Sequence, residues 1–155
     1  MDVSIVDFPH TTVALLEHCG PPDRVLETAA QFIAWRKESG LSPVATSKTF
    51  GVPHNDPNVT PPEEFRWDVC GAIDGDVPEN RYGVKAGAIP GGRCAVVRHR
   101  GSHAKLDDCI YALYRDWLPH SGEETRDFPC FFHYVNLIHD VEEHLLLTDI
   151  YLPIK

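Results

Sequence analysis

The stretch CAVVRHRGSHAKLDDCIYALYRDWL, residues 94–118, decides the fold. It reads as an apolar strand, a glycine turn and a helix. Residues 13–36, VALLEHCGPPDRVLETAAQFIAWR, read the same way, and in both the apolar run closes on His, one further residue and Gly. Sliding the chain against itself by 81 residues pairs Val3 with Val84, Pro9 with Pro90, Ala14 with Ala95, His18 with His99 and Gly20 with Gly101. Without a gap, the same offset pairs Phe50 with Phe131, Asn55 with Asn136, Asp68 with Asp149 and Ile73 with Ile154. The order of elements repeats along with the identities, so one phrase is written twice. The expected organisation is a single domain, 1–155, with internal repeats 1–81 and 82–155.

Local signals mark the elements. The first helix is expected to start at GPPDRVLE, where proline suits the first helical turn because its missing N–H needs no partner there. Val25, Ala29, Phe32 and Ile33 give it an apolar face, and Gly40 suits a left-handed cap. The second helix starts at Ser102, a good N-cap, and carries the stripe Leu106, Cys109, Ile110, Leu113 and Trp117 up to Pro119 and Gly122. Two strands follow each helix: SKTFGV and FRWDVCGAI, then PCFFHYV and LLLTDIYLPI. The fold class is α+β, a duplicated strand–helix–strand–strand unit. An antiparallel sheet with both main helices on one face and a pseudo-two-fold axis is expected, since neither repeat looks large enough to bury a core alone.

Composition excludes several function classes. The net charge is −9, with neither half basic, which argues against direct grip on nucleic acid phosphates. An acidic surface leaves room for a cationic ligand or a basic protein partner. Five cysteines include no CxxC pair and read as reduced thiols. No apolar run approaches the roughly 18 residues of a membrane span, and the start MDVSIVDFPH is no signal peptide, so a cytoplasmic location without membrane contact is expected. Nine histidines supply no zinc-binding spacing; His139 and His144 lie beside acids in a presumed loop, and neither metal nor other cofactor is expected. No G-x-S-x-G motif is present, and Cys70 and Cys130 sit in apolar strands, where thiols are usually inert packing.

The phrases IPGGRCAVVRHRGSHAKLDDCIYALYRDWLP, DFPCFFHYVN and LLTDIYLPI resemble the bacterial GyrI-like small-molecule-binding family, and GVPHNDPNVTPPEEFRWDVC fits its first half. That family includes stand-alone DNA gyrase inhibitory proteins and the effector-binding domains of multidrug-responsive transcription regulators. The resemblance covers residues 1–155 and implies a ligand cleft near the pseudo-two-fold axis. With the resemblance beginning at residue 1, no helix-turn-helix module is expected ahead of it. Many members bind bulky hydrophobic, often cationic compounds, and some hydrolyse small electrophiles. One departure is visible: where members commonly read PCFE.Y, this chain reads PCFFHYVN, so Phe132 stands in place of the pocket glutamate. A phenyl ring offers apolar area and cation–π attraction but transfers no proton.

Strand alternation then selects site residues. With Ile150 and Leu152 facing the helices, Asp149 and Tyr151 face the cleft. The matching strand is read as adding Phe132 and Tyr134, the symmetry-related strand Asp68, and the start of the second helix His103 at the mouth. The expected ligand is a hydrophobic aromatic, with neutral compounds preferred over permanent cations and no catalytic residues assigned. Phe132→Glu is expected to shift that preference toward cations. Two alternatives stand beside the binding protein: a gyrase inhibitor acting by protein contact, with DNA gyrase or a regulator protein as partner, and a hydrolase using the same cleft. Phe132 argues against the hydrolase.

Overall fold

The computed structural model describes residues 1–138 and 140–155, so His139 lies outside the described residues. The chain forms two compact units, His10–Pro90 and Met1–Pro9 with Gly91–Lys155. Their boundaries fall at Pro9 and Pro90, the proline pair of the repeat.

In the first unit (10–90), β2 (Thr11–Cys19) leads through Gly20 and a 3₁₀ turn, Pro22–Arg24, into α1 (Val25–Ser39). β3 (Thr49–Pro53), β4 (Arg66–Ala72) and β5 (Lys85–Ile89) complete an antiparallel sheet in the order β5-β2-β4-β3. The second unit repeats the plan with β6 (Gly92–Arg100), a 3₁₀ turn at His103–Lys105, α2 (Leu106–Ala112), β7 (Phe131–Tyr134) and β8 (Leu147–Pro153). Its fourth strand is β1 (Ser4–Phe8), giving the order β1-β6-β8-β7. Each unit therefore carries one edge strand from the other sequence repeat: β1 serves the second unit and β5 the first. The fold is α+β, with antiparallel strands and one main helical segment to each unit.

The helical start and stop signals operate as read. Gly40 (φ 66°) and Gly122 (φ 76°) take the left-handed conformation that ends each helical segment, and the Ser102 hydroxyl accepts from the Ala104 N–H at 3.1 Å. The second segment departs from a plain α-helix. Residues Leu113–Trp117 widen into a π-helical turn before a last turn, α3 (Leu118–Ser121), and the Leu118 N–H reaches back five residues to the Leu113 carbonyl. Pro119 follows at once; it has no N–H to give, and the wider turn absorbs that gap.

The first unit's core lies between α1 and its sheet. Phe32 and Trp35 stack at 5.7 Å over Ala14, Leu16, Val69 and Ile73. Burying side chains of this size contributes about 1.5–3 kcal/mol each. Arg36, on the same helix, is 1% exposed. Its Nε donates to the Ser42 carbonyl at 2.5 Å, one Nη to Thr49 Oγ1 at 2.7 Å, and the other to Ser42 Oγ at 3.3 Å and the Ser47 carbonyl at 3.1 Å. Gly71 makes room, since a Cβ there would lie 2.6 Å from Ser42 Oγ and 3.1 Å from Arg36 Cζ. Burial lowers the Arg36 pKa to about 10, still charged at neutral pH. Among the described residues, no helix is long and apolar enough to cross a membrane.

Candidate functional site

Cross-strand register sorts each sheet into a helix side and an opposite side, because pairing residues point the same way. In the second unit, Phe131 pairs with Tyr151, Phe132 with Ile150, His133 with Asp149 and Tyr134 with Thr148. On β6, Val96 opposes Tyr151 and Arg98 opposes Asp149. Tyr151, Asp149, Phe131, His133, Val96 and Arg98 therefore share one face, while Phe132, Tyr134, Ile150 and Thr148 share the other.

The structure thus divides the residues selected from sequence. Asp149 and Tyr151 do stand together, away from the helix. Phe132 and Tyr134 do not join them. Phe132 is 2% exposed in the core, and Tyr134 packs against the His103 ring at 5.4 Å on the helix side. His103 is held there by the 3₁₀ turn that starts the helix; its Nε2 is buried and has no hydrogen-bond partner among the described residues. Burial first, and the neighbouring His99 second, lower its pKa. A glutamate at position 132 would thus enter the core beside Ile150, on the face opposite Asp149 and Tyr151. Asp68 belongs to the first unit, on the corresponding face of β4.

On the second unit's helix-free face the residues make an aromatic group beside an ion pair. Phe131 and Tyr151 stack at 5.0 Å and 3°, and Phe8 meets both edge-on at 5.0 and 5.2 Å. Phe128 adds an edge contact to Phe131 at 6.0 Å. The sequence placed Phe131 in the repeat by its identity with Phe50, which was the available signal for it; Phe8 carried none, because its strand comes from the opposite repeat. Asp149 is clasped by Arg98 through Nε–Oδ1 at 2.8 Å and a second Nη–Oδ2 bond at 3.1 Å, with His133 Nδ1 4.0 Å from Oδ2. The Asp149 bond raises the Arg98 pKa, and burial followed by the Asp149 charge raises that of Tyr151, which stays protonated.

The first unit's matching face carries Leu15, Glu17, Asp68, Cys70, Phe50 and Val52 in adjacent rows. His54 Nε2 lies 2.7 Å from Asp68 Oδ2, and Lys85 Nζ lies 2.6 Å from Glu17 Oε1. The other Asp68 oxygen, Oδ1, is buried and has no hydrogen-bond partner among the described residues. Burial and the Asp68 charge push the Cys70 thiol pKa well up, so it is no nucleophile at neutral pH. Burial likewise raises Cys130 to about 12. Among the described residues, no group of three or more His, Cys, Asp or Glu is placed to hold a metal ion.

Residues 1–155 match the GyrI-like small molecule binding domain, and the chain belongs to that family. A probable transcriptional regulator, YgiV, from Escherichia coli K12 is 48% identical over 154 residues, covering 99% of this chain and 96% of that one. A DNA gyrase inhibitor from Erwinia billingiae is 29% identical over 139 residues, 88% of this chain and 87% of that one. The fold is that of the EcmrR C-terminal domain, with a TM-score of 0.81 at 16% identity over 99% of this chain and 97% of that chain. In the EcmrR–DNA complex the match spans 57% of the longer EcmrR chain.

Proposed function

We propose that this chain binds a hydrophobic aromatic small molecule against a sheet face turned away from its helices, with the partly exposed Tyr151 as the principal contact and the buried Phe131 stacked behind it. The observation that carries this reading is the stacked Phe131–Tyr151 pair, with Phe8 edge-on, beside a carboxylate already neutralised by Arg98. Aromatic walls with few, fixed polar groups are the usual make-up of small-molecule sites. Family membership as a small-molecule-binding domain supports it, as does the relation to regulators and to an effector-type domain. The biological output in this reading is ligand sensing or sequestration in transcription control. The net charge of −9 argues that the chain does not itself hold DNA.

A thermal-shift screen of aromatic compounds tests the proposal. A ligand at 100 times its dissociation constant stabilises by about 2.7 kcal/mol, and Tyr151→Ala should weaken its binding about tenfold or more. Unchanged affinity in Tyr151→Ala would remove this face from consideration. A second reading, inhibition of DNA gyrase, is favoured by the 29% identical gyrase inhibitor. It predicts that the purified protein slows gyrase supercoiling without any added ligand.

A further inference from the structure

The two helical segments start on the same scaffold. Gly20 donates its N–H to the Phe65 carbonyl at 2.9 Å, and Gly101, at the matching place, donates to the Leu146 carbonyl at 2.8 Å. A 3₁₀ turn follows each, Pro22–Arg24 in the first unit and His103–Lys105 in the second. Beside the first turn the imidazole is settled. His18 is bonded at both ring nitrogens, Nδ1 to Thr28 Oγ1 at 2.8 Å and Nε2 to the Pro21 carbonyl at 2.9 Å. The second unit differs at three matching places: His103 stands where the first has Pro22, Thr148 where it has Trp67, and Glu143 where it has Pro62. The His103 ring packs against Tyr134 at 5.4 Å, and Thr148, 0% exposed, pairs across the strands with both Tyr134 and His99. Among the described residues neither His103 Nε2 nor Thr148 Oγ1, both buried, has a hydrogen-bond partner. His99 spends its Nε2 on the Ser102 carbonyl at 3.0 Å.

A neutral imidazole tolerates such a place, because a bare ring nitrogen needs no acceptor. A protonated one does not. Both nitrogens then carry N–H, and a buried charged donor without an acceptor is costly. The groups that face His103 act in different directions. The His99 ring on β6 disfavours the charge, while Glu143, on the exposed turn Glu143–Leu145, favours it. Tyr134 on β7 and Thr148 on β8 offer a ring and a hydroxyl. We infer that His103 is a proton-operated latch on the start of the second helical segment. Neutral, the ring lies inward against Tyr134 and pins the turn; protonated, it leaves for solvent and the Glu143 carboxylate, and the turn loosens. The released ring takes its proton near the ordinary value of 6.5 and the inward ring only below that, so the latch is closed above 6.5 and opens as pH falls from there. The first unit carries no such latch, since Pro22 has nothing to titrate and His18 is bonded at both nitrogens. This device goes beyond the small-molecule reading above and does not depend on it.

The test is amide hydrogen exchange of the full chain at pH 7.5, 6.5 and 5.5, read by NMR as protection factors so that the intrinsic pH dependence cancels. Four amides report. Lys105 and Leu106 bond back to the Ser102 and His103 carbonyls, and Arg24 and Val25 bond back to those of Pro21 and Pro22 in the same way. Protection of Lys105 and Leu106 should fall about threefold or more between pH 7.5 and 5.5, with a ceiling of about tenfold because 5.5 lies one unit below 6.5. Arg24 and Val25 should stay level. His103→Phe keeps a ring against Tyr134 and should abolish the fall, and Glu143→Gln should move it to lower pH. His120→Gln, at an exposed histidine in the last turn of the same helical segment, should leave it unchanged. A level response in the wild type, an equal fall at Arg24 and Val25, or a fall that survives in His103→Phe would overturn the inference. The two units of the wild type supply the comparison even where a variant folds poorly.

Discussion

The two units begin from the same sequence phrase and fill the same position in opposite ways. In the first, the end of the helix sends Arg36 into the core over Gly71, where four oxygen acceptors hold it. At the matching positions of the second unit stand Trp117 and Leu152. The first unit sets a long cation beside a glycine, where the second has an indole and a leucine at the matching places. The lesson is that a repeat can keep the order of its elements while changing the chemistry at matching places. The sheet faces teach the same thing with charge, since Arg98 closes off Asp149 while Glu17 leaves Asp68 half satisfied.

The comparison can be broken most strongly at Arg36. Replacing it with Leu leaves buried oxygens on Ser42, Ser47 and Thr49 without their donor, and should cost about 3 kcal/mol or more in denaturant unfolding. Gly71→Leu, copying the second unit into the first, should cost about 1–3 kcal/mol by overpacking. The double variant should be less damaging than the sum, because the shorter side chain frees the space the new one needs. Strict additivity would mean that the two positions do not share a volume.

Phe132→Glu comes next. It places a carboxylate in the second unit's core, and a loss of about 2–4 kcal/mol with raised sensitivity to alkaline pH is expected, rather than a change of ligand preference. Retained stability with altered ligand ranking would return this residue to the binding face. Arg98→Gln is milder, since Arg98 is itself half exposed: about 1 kcal/mol is expected, accompanied by a Tyr151 hydroxyl that titrates still higher.

The smallest effect concerns pH. His103 has its pKa lowered from 6.5 by burial, so the folded state disfavours the proton that the unfolded chain accepts. Its stabilising contribution is complete above 6.5 and is lost as pH falls from there through the lowered value. Melting temperatures taken between pH 7.5 and 5 should therefore fall less steeply in His103→Phe than in the wild type. Parallel curves would show that other groups govern the acid side.

Much of this was legible in the sequence, and the gaps have physical causes. Helix limits came from local chemistry, at Ser102, Gly40 and Gly122, which a chain shows residue by residue. Alternation along β8 correctly separated Asp149 and Tyr151 from Ile150 and Leu152. The face of β7 was not legible, because register between strands is a long-range property, and a shift of one residue exchanges Phe131 and His133 for Phe132 and Tyr134. Arg98 and His54 were missed for that reason also, as each meets its aspartate only across a strand pair. The exchange of β1 and β5 between repeats left no local trace beyond the prolines that mark it.

The central claim is that the chain binds its ligand on a helix-free sheet face, and chemical-shift mapping with an aromatic hit from the thermal screen tests it most directly. Side-chain and amide signals of Tyr151, Phe131, Val96 and His133 should move most on titration, with those of Phe132, Tyr134 and His103 moving least. Shifts concentrated on Phe132, Tyr134 and His103 would contradict the account and place the ligand on the helix side.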